Sequence, residues 1–544
     1  MSTTTTIIGR PGTGKTTRLA ELVQRAVNRF GPQRVVVASL TKTAAHEIAS
    51  RPVMTDGQDR PIWETLEDRV GTLHAICYRA LGRPPLVYEH IDGFNETYHR
   101  DVSSGSHGTD DLGDHYEETT GGDELLEELE KNRARRVPRR LWRPAVENFS
   151  IQWNAWKDFT GSIDFSDMIE LALEKLPEGP QGPASAIFYD EAQDGSKLEL
   201  DLLQQWARHA DHAVICGDDL QAIFSWRGGS VEDFLAWSEK RTMLPESHRL
   251  PRAVHAAACR WADQVVCKAP GEYRPRNAEG KVALSDASLS YPEDAIPAIL
   301  EDLGAGKRIM LLATCGYMLG PILGALRDHS VPFWNPHRVT RSDWNPLRTS
   351  EKRGSPAGRL LAFSRVNDAV YGSGARIWTW KELSGWTRVM DGRILLRGGR
   401  TRLEENSKLD TPVSMEDLEQ TFQEWALGPA LCGDLEWLSL HIADAKRRVM
   451  EFPLSVARKM GVRTLEKEPR VVVGTIHSVK GAETNCTYLW PDLSPSAWEE
   501  YEGSGKDDVL RTFYVGMTRC NEKLTLCAAS SGYSVEWEPA LEER

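Results

Sequence analysis

The chain has 544 residues, too many for one hydrophobic core, so its length implies three or four domains or subdomains. Its 40% apolar and 27% charged residues are those of a soluble globular protein, and its net charge of −13 means that any nucleic-acid partner has to be held in a local basic groove. Nine scattered cysteines without a CxxC pair argue against a zinc ribbon, an iron–sulfur cluster or a disulfide scaffold.

In chain order, "MSTTTTIIGR" offers no charged leader ahead of a long apolar run, and no stretch reaches the roughly 18 apolar residues of a membrane span. The expected location is cytoplasmic, or the host cytoplasm for a phage-encoded form. "TTTTIIGRPGTGKTTRLAELVQRAV" then reads as strand, glycine loop and amphipathic helix, with Leu19, Leu22, Val23 and Ala26 on one side. Gly9-x4-Gly14-Lys15-Thr16 matches the phosphate-loop pattern. Backbone N–H groups cradle phosphate, Lys15 reaches the β/γ oxygens, and the Thr16 hydroxyl ligates Mg²⁺. Gly9, Gly12, Thr13, Gly14, Lys15, Thr16 and Thr17 are therefore the candidate nucleotide-binding set, with ATP and Mg²⁺ as the expected cofactors.

Further on, Asp101 to Glu130 contains acids such as Asp110, Asp111, Asp114, Glu117 and Glu118 but no Lys or Arg. "KNRARRVPRRLWR" follows with seven basic residues from Lys131 to Arg143, either a solvated helix face or a phosphate-contacting stripe. "ASAIFYDEAQD" is a buried strand ending in acids. Asp190 suits Mg²⁺, and Glu191 suits orienting and deprotonating the attacking water. After the "AVIC" strand, "GDDLQAIFSWRGG" mixes acids, an amide and a large ring between glycines. The apolar strand Val471 to Val473 leads into Gly474, Thr475, His477, Lys480, Gly481 and Glu483.

"GRPGTGKT", "DEAQD", "GDDLQAIFSWRGG", "LPESHRL", "GTIHSVKGAE" and "DDVLRTFYVGMTR" occur in the order and character of the UvrD/Rep/PcrA-like helicases of superfamily 1, which this chain resembles. The resemblance covers roughly the first 82 residues, 150 to 250 and 470 to 530. It implies an α/β fold of two RecA-like parallel-sheet domains, each with an inserted, mainly helical subdomain. The implied first domain is 1–82 and 151–245 with insertion 83–150; the second is 246–326 and 467–544 with insertion 327–466.

The resemblance also implies roles. Gln221 faces the γ-phosphate and Trp226, with Arg227, offers a ring to a DNA base. Arg249 and Arg519 suit a phosphate-closing role because a guanidinium keeps its charge. His248 stands where relatives stack a Tyr on adenine, and Glu483 lies near the nucleotide sugar. Leu40, Thr41 and His74, from "SLTKTAAHEIASR" and "VGTLHAICYRAL", fall in DNA-contacting stretches, and Thr475 and His477 approach the DNA backbone. Arg511 reads equally as a salt-bridge residue.

There are departures. Relatives carry an adenine-reading Gln about twenty residues before the phosphate loop, for which this chain shows no place; Leu40 replaces an aromatic, and Ala313 stands where an Arg is common. In the second insertion Trp334, Trp344, Trp378, Trp380 and Trp386, with interleaved Arg and Lys, are either core or base-stacking rings. No nuclease-like acid cluster follows the last motif.

The expected function is an ATP-dependent DNA helicase or translocase, moving 3′ to 5′ on single strands. The alternatives are a DNA-stimulated ATPase that strips proteins from DNA without unwinding, and a small-molecule kinase sharing only the phosphate loop. Expected partners are single-stranded and forked DNA and replication or recombination proteins, with no membrane and a monomer favoured.

Overall fold

The computed structural model describes residues 3–55, 58–103, 120–339, 341–348, 354–365 and 378–541. Asp110, Asp111, Asp114, Glu117 and Glu118 of the acidic run lie outside the described residues. The chain forms two compact units, Met1–Leu284 with Ala313–Tyr317 and Thr475–Arg544, and Ser285–Leu312 with Met318–Gly474. These units cut through the expected second domain, whose residues 246–284 and 475–544 fall in the first unit and 285–312 in the second. Two parallel sheets with flanking helices carry the architecture.

The strands in chain order are β1 (Thr3–Gly9), β2 (Val35–Ser39), β3 (Pro52–Thr55), β4 (Gln58–Pro61), β5 (Val70–Thr72), β6 (Ala186–Asp190), β7 (His212–Gly217), β8 (Arg241–Leu244), β9 (Lys281–Ser285), β10 (Ile309–Ala313), β11 (Phe333–Trp334), β12 (Val471–Thr475), β13 (Thr484–Leu489) and β14 (Cys520–Cys527). In the first unit one sheet runs β5-β2-β6-β7-β1-β8, with its paired strands parallel. Both of its faces are covered, so its central strands are almost continuously apolar. Alternate side chains divide between the faces. Ile7, Val35, Val37, Ala186 and Phe188 pack with Leu19, Val23, Ala26 and Val27 of helix Lys15–Phe30. Ile8, Val36, Ala38, Ile187 and Tyr189 pack with Leu198, Leu202, Leu203 and Trp206 of helix Lys197–Ala207.

Residues 83–150 hold helices Ile91–Tyr98 and Gly121–Ala134 and the start of Pro144–Thr160, which close around Phe94, Leu126, Leu129, Phe149 and Trp153. Three of the seven basic residues of the cluster pair with acids. Arg133 bonds Asp164, Asp167 and Glu170, Arg136 pairs with Asp201 and Arg143 with Glu128.

Also in the first unit, β13 and β14 pair in parallel. In the second unit β11 and β12 pair in parallel, and of the five tryptophans named in the insertion Trp344, Trp378 and Trp386 are fully buried, Trp380 is nearly so and Trp334 is half-buried. Among the described residues, no helix is long and apolar enough to cross a membrane.

Candidate nucleotide site and nucleic-acid interface

Three neighbouring strands, β6, β7 and β1, end side by side in "DEAQD", "GDDLQ" and "GRPGTGKT", so the sheet itself assembles the site at its carboxyl edge. Gly12 and Gly14 adopt φ of +73° and +76°, and Gly14 forms the N-cap of helix Lys15–Phe30 with no side-chain cap and no acid in the first turn. A Cβ on Gly9 would lie 2.4 Å from Lys15 Cγ, and one on Gly12 2.4 Å from Arg249 Cβ, so this loop is glycine for want of room as well as for conformation. Ser247 Oγ and Tyr273 OH each donate to the Pro11 carbonyl, at 2.9 and 2.8 Å, and His248 N donates to the Gly12 carbonyl at 2.8 Å.

Lys15 Nζ donates to the Gly9 carbonyl at 2.8 Å and the Thr16 hydroxyl to Asp190 Oδ2 at 3.4 Å. Burial, then Glu191 beside it, pushes the Asp190 carboxyl up to about 7, so a divalent cation would relieve it. Two hard oxygen donors converging there fit Mg²⁺. Glu191 holds a left-handed φ of 55°, uncommon for a residue with a Cβ, and its N–H donates to Asp190 Oδ1 at 3.0 Å. Burial would raise its carboxyl, but Lys480, Lys15, a 2.6 Å hydrogen bond from Gln193 and Arg519 outweigh that and hold it below the usual range.

Arg519 is buried and donates to Val515 O, Ala482 O and, at 2.8 Å, to Gln221 Oε1. Burial, then Arg249 beside it, pushes its guanidinium down to about 9 against the opposing pull of Glu191 and Asp218. Arg249 Nε donates to Glu483 at 2.8 Å. The uncapped helix end, the glycine loop and these cations together fit a polyphosphate. His248 and Thr17 are exposed while Thr13 is buried, its hydroxyl donating to the Arg10 carbonyl.

The loop after β7 runs from this site outward. Gln221 Nε2 donates to Asp218 Oδ2 at 2.7 Å, and Lys480 Nζ donates to the Gln221 carbonyl at 2.7 Å and to Asp194. Lys480 also lies 4.7 Å from the centroid of Phe224, whose ring meets Trp226 at 6.3 Å and His477 at 6.0 Å. Trp226 is half-buried, with the Arg227 guanidinium 6.0 Å from its ring centre. Gly228, at φ +96°, abuts helix Gly121–Ala134: a Cβ there would lie 2.7 Å from Ala134 Cβ, while Arg135 Nη2 donates to the Ser225 carbonyl at 2.9 Å.

Of the expected DNA-facing residues, Leu40 is buried, and Thr475 is buried with its hydroxyl accepting from Ser478 N. Thr41 caps helix Lys42–Ala49 by accepting from Ala44 N. His74 lies 3.6 Å from Glu199, and burial holds its imidazole below the ordinary range. Arg511 is a structural tie, donating to the Asp219 and Cys267 carbonyls and pairing with Asp508 at 2.8 Å.

Arg10, Gln193, Asp194 and Arg135 were not singled out from the sequence, and Lys480 was noted without a role. One signal was legible: a basic residue after β1 and two acids after β7, strand ends that the parallel fold places side by side.

Residues 1–242 match the UvrD/REP helicase N-terminal domain and residues 454–531 the UvrD-like helicase C-terminal domain. These matches assign the chain to the UvrD-like helicases of superfamily 1. Among curated proteins it is 28% identical over 108 residues to an ATP-dependent DNA helicase PcrA of Staphylococcus epidermidis, covering 18% of this chain and 15% of that protein. It is 23% identical over 287 residues to an ATP-dependent DNA helicase PcrA of Leuconostoc citreum, covering 46% and 36% respectively. The matched part is thus well under half the length of either relative.

Proposed function

We propose that this chain is an ATP-driven translocase on single-stranded DNA that moves 3′ to 5′ and separates duplex ahead of it. The observation that carries this reading is the loop Gly217–Gly229. Gln221 is bonded at once to Asp218 and Arg519, and three residues on Phe224 gathers Lys480, Trp226 and His477. One short segment therefore has a polar end in the nucleotide site and an aromatic end fit for stacking a base.

Bound magnesium nucleotide supplies the phosphoanhydride whose terminal P–O bond is cleaved by water. The chain's own residues orient and neutralise. Lys15 and the loop N–H groups hold phosphate oxygens, and Thr16 with Asp190 provides oxygen donors for the cation. Glu191, kept ionised, accepts a proton from the attacking water. Arg249 and Arg519 answer the charge that moves to the bridging oxygen. Replication or recombination proteins are the proposed partners of a cytoplasmic enzyme acting as a monomer.

The test is ATP turnover with and without single-stranded DNA, followed by strand displacement on 3′-tailed and 5′-tailed duplexes. Stimulation by DNA and displacement of the 3′-tailed substrate are expected. Absent stimulation would sink the reading, stimulation without displacement would leave a remodelling ATPase, and preference for the 5′ tail would reverse the polarity. Lys15→Ala should lower turnover by about 10²- to 10³-fold, since it removes a cation proposed to hold phosphate oxygens. Persistent turnover would remove Lys15 from that role.

A further inference from the structure

Arg10 stands inside the glycine loop, between Gly9 and Pro11, where a charged side chain has no part in cradling phosphate with backbone N–H groups. Its main chain shapes that loop, the carbonyl accepting from Thr13 N at 3.2 Å and from the Thr13 hydroxyl at 2.9 Å. Its side chain is committed to the end of the neighbouring strand. Nη1 donates to Asp218 Oδ1 at 2.7 Å and to Asp219 Oδ1 at 2.8 Å, while Nη2 donates to the Ala269 carbonyl at 3.0 Å. Asp219 Oδ2 in turn accepts from Ala269 N at 2.9 Å, closing a ring.

Asp218 divides its two oxygens. Oδ1 takes Arg10 and Leu220 N, and Oδ2 takes the Gln221 amide, whose own oxygen accepts from Arg519. A continuous chain of buried side chains, Arg10, Asp218, Gln221 and Arg519, thus joins the phosphate loop to the base-stacking loop. Both acids are fully buried, so without a cation between them they would repel each other and release the Gln221 loop. A guanidinium reaches two carboxylates and a carbonyl with one planar fork, which an ammonium cannot reproduce.

We propose that Arg10 is a positioning residue that passes the state of the phosphate loop to Gln221 and so sets how strongly DNA accelerates hydrolysis. It acts through Asp218. The proposal rests on the function proposed above.

The experiment uses the full chain, ATP and a single-stranded oligonucleotide, with Arg10→Lys, Gln221→Ala and the double variant. Arg10→Lys should lower the DNA-stimulated kcat about tenfold while KM for ATP stays within about twofold, and it should add no further loss to Gln221→Ala. Multiplicative losses in the double variant, or a raised KM with unchanged kcat, overturn the proposal. Asp218→Asn, which keeps the shape and removes the charge, should reproduce the kcat loss. If Arg10→Lys abolishes the cooperative melt while Asp218→Asn keeps full stimulation, Arg10 is only a structural pin and the proposal fails. A wild-type chain without DNA stimulation overturns the functional reading and this proposal together. Wild-type stimulation with independent losses overturns this proposal alone.

Discussion

Trp226 and Trp386 put the same side chain to opposite uses. Trp226, in the first unit, sits half-buried in a glycine-flanked loop, with the Phe224 ring at 6.3 Å and the Arg227 guanidinium at 6.0 Å. Trp386, in the second unit, is fully buried, with Trp378 at 5.2 Å, Phe363 at 5.1 Å and Phe422 stacked at 5.7 Å. What separates them is burial. A fully buried ring has no surface left for a ligand, whereas a half-buried one keeps part of its surface in solvent.

The largest effect expected from this contrast is on stability. Trp386→Ala should cost about 3–5 kcal/mol, measured by denaturant unfolding, because the cavity is walled by rings that cannot collapse into it. Trp386→Phe should cost much less, since the Trp386 indole N–H has no hydrogen-bond partner among the described residues and nothing polar is orphaned by removing it. Equal losses in both variants would mean that the ring's volume is not what matters there. Trp226→Ala should leave unfolding nearly unchanged and remove about 1–3 kcal/mol of DNA stacking, read as a roughly ten- to hundredfold fall in DNA-stimulated turnover. Basal turnover should fall far less. Equal loss in both rates would make Trp226 a core residue like Trp386 and erase the distinction.

The alternation that splits Val35–Ala38 and Ala186–Tyr189 between two buried faces is written in consecutive apolar residues, so the first sheet was legible from its sequence. So were the glycine loop and the adjacent acids, whose spacing is itself the chemistry. The partners of buried charges were not legible. Lys480 meets Asp194, and Arg10 meets Asp218, across intervals that carry no periodic signal and are closed only by the fold. The burial of Leu40 and Thr475 was not legible for a related reason. Each lies at a strand end, where one residue can turn into the core or out to a ligand, and only the packing of the following helix or turn decides. The basic cluster shows the same limit: composition located the charges, but acids on other helices had already claimed several of them.

Arg135 yields the smallest predicted effect and the finest test of how the Trp226 loop is held. Its guanidinium donates to the Ser225 carbonyl at 2.9 Å, next to Trp226, while Arg136 beside it pairs with Asp201 and has no bond to the loop. Because Arg135 is exposed, Arg135→Ala should cost at most about 1 kcal/mol, raising the oligonucleotide concentration for half-maximal stimulation by a few-fold. Arg136→Ala removes the same charge from the same helix end and should leave that concentration unchanged. The loop's seating against Ala134 through Gly228 is common to both variants, so it cannot produce a difference between them. If the two variants shift DNA affinity equally, positive charge near the strand is responsible and the Ser225 hydrogen bond does not position the ring. If only Arg135→Ala shifts it, the inserted helix is part of what aims Trp226.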